Sequence, residues 1–110
     1  MILMVKNASE IRTILRRYRS ELKKDRVRVS KMFLYGSYAN GRARPHSDID
    51  VIVVSSDLKR YSPLKRQEYL AVKTMSVDAP LEVIGYTPEE FKRSANTIFG
   101  QIIRQTGKSV

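Results

Sequence analysis

Two carboxylates one residue apart, Asp48-Ile49-Asp50, head the run DIDVIVV. On an extended chain residues i and i+2 share a face, so both acids converge on one spot. Like charges so placed repel and raise each other's pKa unless a cation lies between them. The alternative leaves Asp48 in a turn and Asp50 facing solvent. A third acid, Glu82, interrupts the apolar run LEVIGY. A carboxylate there is costly unless paired or liganded, the alternative being a tolerated edge-strand Glu. If the two runs pair side by side, Asp48, Asp50 and Glu82 form one cluster. The chain has one His (His46) and no Cys, so a metal held here would sit on oxygen and be a hard cation, Mg²⁺ or Mn²⁺. A pair of Mg²⁺ ions about 3.5–4 Å apart clamps the attacking and leaving oxygens of an in-line phosphoryl transfer.

Upstream lies Gly36-Ser37, at the end of the short apolar run KMFLY. Glycine lets a phosphate approach the backbone closely, and Ser37 adds a hydroxyl and an N–H at the start of a helical turn, where anions are favoured. Taken alone, Gly-Ser after a strand also reads as an ordinary turn. Ten residues separate Ser37 from Asp48. Among them Arg42 and Arg44 could neutralise a triphosphate or remain exposed loop charges. His46 is similarly placed, and a lone loop histidine is more often structural or merely exposed.

These residues need elements to position them. Asn7 to about Arg26 reads as a helix, with Ile11, Ile14, Leu15, Tyr18 and Leu22 on one face and Asn7 or Ser9 as cap. Its other face carries Arg12, Arg16, Arg17, Arg19, Lys23 and Lys24, a solvated stripe or a site for something acidic. Strands are expected at 31–35, 48–54 and 81–86, with a helical turn at 37–40 stopped by Gly41. Ser62 to Ser76 reads as a second helix with Pro63 at its first position and Leu64, Ala71, Val72 and Met75 as its apolar face. Thr87-Pro88-Glu89-Glu90 is a capping box that opens a helix. From Asn96 to Gln105 a further helix is interrupted by Gly100 and ended by Gly107, before a short tail. The order predicts an α/β (α+β) domain spanning residues 1–110.

The 110 residues carry 21 Lys+Arg against 11 Asp+Glu, a formal net charge of +10, which favours acidic partners such as nucleotides, nucleic acid or an acidic protein. A disordered chain and a disulfide scaffold are excluded by the 42% hydrophobic content and the lack of cysteine. The amino terminus, MILMV, is apolar for five residues, too short for a signal peptide core or a membrane span. A cytoplasmic protein with no membrane contact is expected.

The stretch GSYANGRARPHSDIDVIVV resembles the defining motif of the polymerase-β-like nucleotidyltransferases, in particular the minimal nucleotidyltransferases (MNT). The resemblance runs from about Val29 to Tyr86. It implies a small mixed β-sheet with helices mainly on one face. It also implies roles: Gly36 and Ser37 on the triphosphate, Asp48 and Asp50 on two Mg²⁺ ions, Glu82 on the catalytic metal and helping to deprotonate the acceptor hydroxyl. Family members often have Asp at that third position. The implied reaction is attack of a hydroxyl on the α-phosphate of a nucleotide, ATP foremost, with release of pyrophosphate. The chain has no further domain to hold an acceptor, so a partner or a second copy would supply it. Ile52, Val54, Ile84 and Tyr86 share the acids' face and need covering by the C-terminal segment or by something else. MNT proteins are similar to the antitoxin half of HEPN–MNT toxin–antitoxin pairs, where the MNT subunit binds a HEPN ribonuclease and in some members transfers AMP to a toxin tyrosine. The leading expectation is such an adenylylating antitoxin. The alternatives are a binding-only antitoxin with a vestigial site, and an RNA-binding protein using the basic N-terminal helix.

Overall fold

The central element of the sheet is the strand whose sequence is most uniformly apolar. In the computed structural model, which describes residues 5–110, β2 (Ile49–Val54) lies between β1 (Lys31–Tyr35) and β3 (Leu81–Tyr86), in the order β3-β2-β1-β4. β1 runs antiparallel to β2, β3 parallel to it, and every β2 residue except Asp50 is buried. Asp48 falls one residue before the strand that was expected to include it. The amino-terminal stretch up to residue 4 lies outside the described residues.

The two long helices cover one face. α1 (Ala8–Lys24) is capped by Asn7, whose side chain accepts from the Glu10 N–H while Glu10 accepts from the Asn7 N–H. It buries Ile11, Leu15, Tyr18 and Leu22 against Met32, Leu34, Ile49, Val51 and Val53 of the sheet. The Tyr18 phenol donates to the Leu70 carbonyl at 2.8 Å, tying α1 to α3 (Pro63–Lys73). The short turn α2 (Ser37–Asn40) follows β1 and ends at Gly41.

The expected apolar face of α3 is a correction. Leu64, Val72 and Met75 are 70%, 63% and 84% exposed, and Ala71 is exposed as well. The helix instead buries Arg66 and Leu70. The reason lies in its neighbour: β3 is the edge strand, and an edge presents backbone groups that need polar partners. Gln67 answers both, donating to the Val83 carbonyl and accepting from the Gly85 N–H, each at 3.1 Å. Arg66 donates to the Gly85 carbonyl at 3.4 Å and to Glu90 at 2.6 Å. A helix docked on a sheet edge turns its polar side inward, and hydrophobic periodicity then points the wrong way.

The C-terminal segment covers the other face of the sheet. α4 (Pro88–Arg93) starts at the expected capping box on Thr87 and Glu90, and α5 (Ile98–Thr106) is capped by Thr97. Ile103 and Phe91 pack on Ile52, Val54, Phe33, Ile84 and Tyr86, with the Phe33 and Phe91 rings stacked at 5.3 Å. Gly100 does not interrupt α5: it lies buried in the first turn, where a Cβ would run into the Ser94 carbonyl. In the short tail expected after Gly107, Lys108–Ser109 form β4 on the open edge of β1. No helix among the described residues is long and apolar enough to cross a membrane.

Arg66, 6% exposed at its side chain, makes an ion pair with Glu90. Burial alone would raise the Glu90 carboxyl, but the Thr87 N–H and Arg66 outweigh it and hold it below its ordinary range. A carboxylate depressed in the folded state contributes fully above its unfolded pKa of about 4.3, and that contribution fades as pH falls through the folded value. Glu90→Gln, which leaves the Arg66 charge without its counter-charge while keeping an oxygen for the Thr87 N–H, is expected to cost about 3 kcal/mol at pH 7 by urea unfolding. The loss should shrink as pH falls below 4; an equal loss at both pH values would show that the ionised pair is not its source.

Candidate active site

The acids collect at one end of the sheet because strand register puts them there. Asp50 is paired with Glu82 on parallel β3 and with Tyr35 on antiparallel β1, and directly paired residues point to the same face. Burial raises the Asp50 carboxyl above its ordinary value, and the negative charges of Glu82 and Asp48 raise it further. Burial likewise pushes the Tyr35 phenol up to about 12, with Asp50 and Glu82 adding to the shift. Among the described residues no Lys, Arg or His makes an ion pair with Asp48, Asp50 or Glu82. Like charges at one level of neighbouring strands, with no counter-charge, are the electrostatic signature of a place that a cation would relieve.

The three acids are not equally engaged. Asp50 is half-buried, while Asp48 and Glu82 are exposed. Glu82 and, after it, Asp48 act on Asp50 through their charges. No three carboxylate or imidazole groups among the described residues close around a single point. The donor chemistry, carboxylate oxygens without thiolate or imidazole, fits a hard divalent cation on Asp50 and Glu82, with Asp48 beside them.

Gly36 lies directly over Asp50. Its φ of +73° and ψ of −152° place it in a region open to glycine, and a Cβ added there would collide with the Asp50 carboxylate. The sequence suggested glycine for the approach of a phosphate; the structure adds that the acid itself needs the space. Ser37 opens α2, its hydroxyl without a partner among the described residues, while the Gly36 carbonyl accepts from the Ala39 and Asn40 N–H groups. The following loop is held by its backbone: the Arg42 N–H donates to the Ser37 carbonyl at 3.0 Å and the Arg44 N–H to the Ser47 hydroxyl at 2.8 Å. The side chains of Arg42, Arg44 and His46 are exposed, and neither arginine is committed to an ion pair among the described residues.

Sequence reasoning placed Tyr86 on the acids' face but missed Tyr35 and Phe99, the rest of the aromatic wall of this site. Tyr35 meets the Phe99 ring edge-on at 5.6 Å, and Phe99 and Tyr86 line a groove of about 420 Å³ with Arg93, Thr97 and Glu90. Tyr35 immediately precedes Gly36, but only the β1–β2 register sets it beside Asp50, and no local pattern in the sequence encodes that register.

A mixed four-stranded sheet, two long helices on one face and an acid pair beside a glycine-led turn define a polymerase-β-like nucleotidyltransferase fold. The family described as "Nucleotidyltransferase domain" matches residues 13–105; the chain belongs to this family. Similar proteins include two from Methanocaldococcus jannaschii provisionally named protein adenylyltransferases. MJ1215 is 43% identical over 49 residues, 44% of this chain and 56% of that protein. MJ1379 is 45% identical over 49 residues, 44% of this chain and 48% of that protein. The chain thus spans about half the length of the curated relatives it matches. Among solved structures, a toxin–antitoxin with AMP-PNP is similar at 25% identity and a TM-score of 0.57, over 82% of this chain and 66% of that one. A mutant of the MntA-HpeT toxin–antitoxin shares the fold, with a TM-score of 0.58 at 24% identity over 96% of this chain and 72% of that one.

The geometry predicts a specific coupling. In Glu82→Gln the Asp50 carboxyl should titrate lower than in the unaltered protein, because a like charge beside it is gone. Carboxyl-detected NMR titration of the two proteins measures it. An unchanged Asp50 midpoint would mean that the two side chains do not face each other.

Proposed function

We propose that this chain is a Mg²⁺-dependent nucleotidyltransferase that moves AMP from ATP to a hydroxyl of a protein partner, and that it is the antitoxin of a HEPN–MNT toxin–antitoxin pair. The observation that carries the transferase reading is the uncompensated pair Asp50 and Glu82, level on neighbouring strands, with Asp50 lying under Gly36 at the mouth of α2. The family, the relatives named protein adenylyltransferases and the similarity to a toxin–antitoxin with AMP-PNP support it. On this reading residues 1–110 act as one minimal catalytic domain in the cytoplasm, and the acceptor hydroxyl belongs to the toxin or to a second copy of the chain.

Asp48, Asp50 and Glu82 would hold two Mg²⁺ ions, which when bound supply charge neutralisation for the triphosphate and for the attacking and leaving oxygens. The rest falls to the chain. Gly36 and Ser37 receive the β- and γ-phosphates through the Ser37 hydroxyl and N–H, a dipolar contact that favours anions. Arg42 and Arg44, free in the adjoining loop, close over the phosphates. Glu82, the more exposed of the strand acids, takes the proton as the acceptor oxygen bonds to the α-phosphorus and the bond to the pyrophosphate oxygen breaks. Glu82 is one methylene longer than Asp, so its carboxylate reaches further from the strand toward an incoming hydroxyl. Little covalent work is left to side chains; positioning and charge stabilisation supply the acceleration.

A binding-only antitoxin is the second reading, favoured by the failure of Asp48 to close with the other two acids around a single point. Incubation with α-³²P-ATP, Mg²⁺ and the co-purifying partner separates the two. Label should appear on a polypeptide and fall at least about 100-fold in Asp50→Asn, the scale of losing a principal electrostatic contact to a transition state, while partner binding persists. No label on any polypeptide, with the partner still bound tightly, overturns the transferase reading in favour of the second.

A further inference from the structure

The basic face of α1 is not a uniform solvated surface. Arg12, Arg16, Arg19 and Lys23 each follow a buried residue, Ile11, Leu15, Tyr18 and Leu22, so the four share one flank of the helix at its own 3.6-residue period. That flank borders two concavities. One, of about 120 Å³, is lined by Arg12, Arg16 and Arg19 with Met32 and Val110. The other, of about 390 Å³, is lined by Lys6, Arg12, Tyr38 and Lys108 among others. Arg12 and Val110 belong to both, so the two join into one groove between α1 and the edge strand β4. No Asp or Glu side chain lines either part. Among the described residues, none of Lys6, Arg12, Arg16, Arg19, Lys23 and Lys108 is engaged in an ion pair. Arg19 donates to the Val29 carbonyl at 2.6 Å, which fixes its guanidinium along the groove.

We propose that this groove binds a single-stranded polynucleotide. Its parts match that ligand: a row of unneutralised cations spaced about 5–6 Å apart along a helix flank, able to follow successive phosphates, and Tyr38, an aromatic side chain in the wall for a base. Single-strand sites combine a positive groove with aromatic platforms in this way. A duplex is a poorer fit, because duplex readers insert a projecting helix or ribbon into a groove of the nucleic acid, whereas here the protein supplies the concavity. An acidic protein surface is poorer too, since the five cationic side chains of the lining are strung along the groove and only a ligand with charge at regular intervals meets them all. The buried residues of α1 pack against the sheet face opposite the acids, and none of Gly36, Ser37, Asp48, Asp50 and Glu82 lines the groove, so the inference does not rest on the function proposed for that site.

The test is fluorescence anisotropy with a 12-nucleotide oligouridylate, and a DNA oligomer of matching length, titrated over a range of KCl concentrations. The expected result is binding whose logarithm falls linearly with log salt. Arg12→Glu/Arg16→Glu should weaken it at least about 10-fold at low salt and flatten the slope by about 2. Lys59→Glu/Lys65→Glu makes the same change in net charge away from the groove, and it should keep most of the affinity. Thermal melting confirms that each variant is folded, and Asp50→Asn, which removes transfer on the reading above, should bind the oligomers unchanged. RNA bound more tightly than DNA, or the two bound equally, would both support the groove and define its preference. The proposal is overturned by absence of binding at 50 mM KCl, by equal losses in the two double variants, or by polyglutamate competing as well as the oligomer.

Discussion

One strand register governs this molecule. With β2 antiparallel to β1 and parallel to β3, Asp50 is placed level with Tyr35 and Glu82, and like charges at opposed positions work against the pairing by up to about 1 kcal/mol. The rest of β2 overcomes that cost easily. Ile49, Val51, Ile52, Val53 and Val54 are all buried, and each contributes about 1.5–3 kcal/mol relative to exposure. The sheet can therefore hold an unfavourable acid pair at its end because the other five positions of the same strand are apolar. A one-residue slip would move every β2 side chain to the wrong face, so the site geometry is as firmly fixed as the core.

The second constraint is the edge of β3. Gln67 satisfies two of its backbone groups and Arg66 a third, and Arg66 passes on to Glu90, which also accepts from the Thr87 N–H. One buried guanidinium thereby joins α3, β3 and the start of α4. This matters for the site because α4 leads to α5, whose Phe99 rests on Tyr35. The aromatic wall beside the acids hangs on a polar network on the far side of β3.

Legibility in the sequence followed how local each signal was. The cap of α1, the capping box at Thr87 and the apolar, β-branched run of β2 are encoded within a few residues, and each stands in the structure where it was read. The pairing of Asp50 with Glu82 required only that two apolar strands lie side by side. The apolar face of α3 was misread because its partner is a strand edge that demands polar groups, and the strand in the tail went unread because β4 is a two-residue strand that exists only where β1 leaves an edge open. Tyr35 went unnoticed for a related reason: its role comes from a cross-strand neighbour 15 positions on, which no periodicity announces. Gly36 was read as a glycine for the approach of a phosphate; the Asp50 carboxylate that also needs its space is set there by the fold, and no local pattern announces it.

Charge is divided between the two faces of the sheet, and the division is itself informative. A chain with a net charge of +10 creates a field that draws anions from any direction, so a binding site needs local features to be selective. At the acid end, Asp48, Asp50 and Glu82 form a negative island in a positive surround. On the proposed function, metal ions neutralise that island and the free arginines of the 42–44 loop supply the remaining attraction for a triphosphate. Across the sheet, the flank of α1 shows no such island among the described residues: its lining cations make no ion pair there, and their spacing repeats with the helix. A small charged nucleotide suits the first arrangement, in which opposite charges alternate over a few ångströms. A long anion of regular charge suits the second, because only a ligand with its own period gains from every cation in the row.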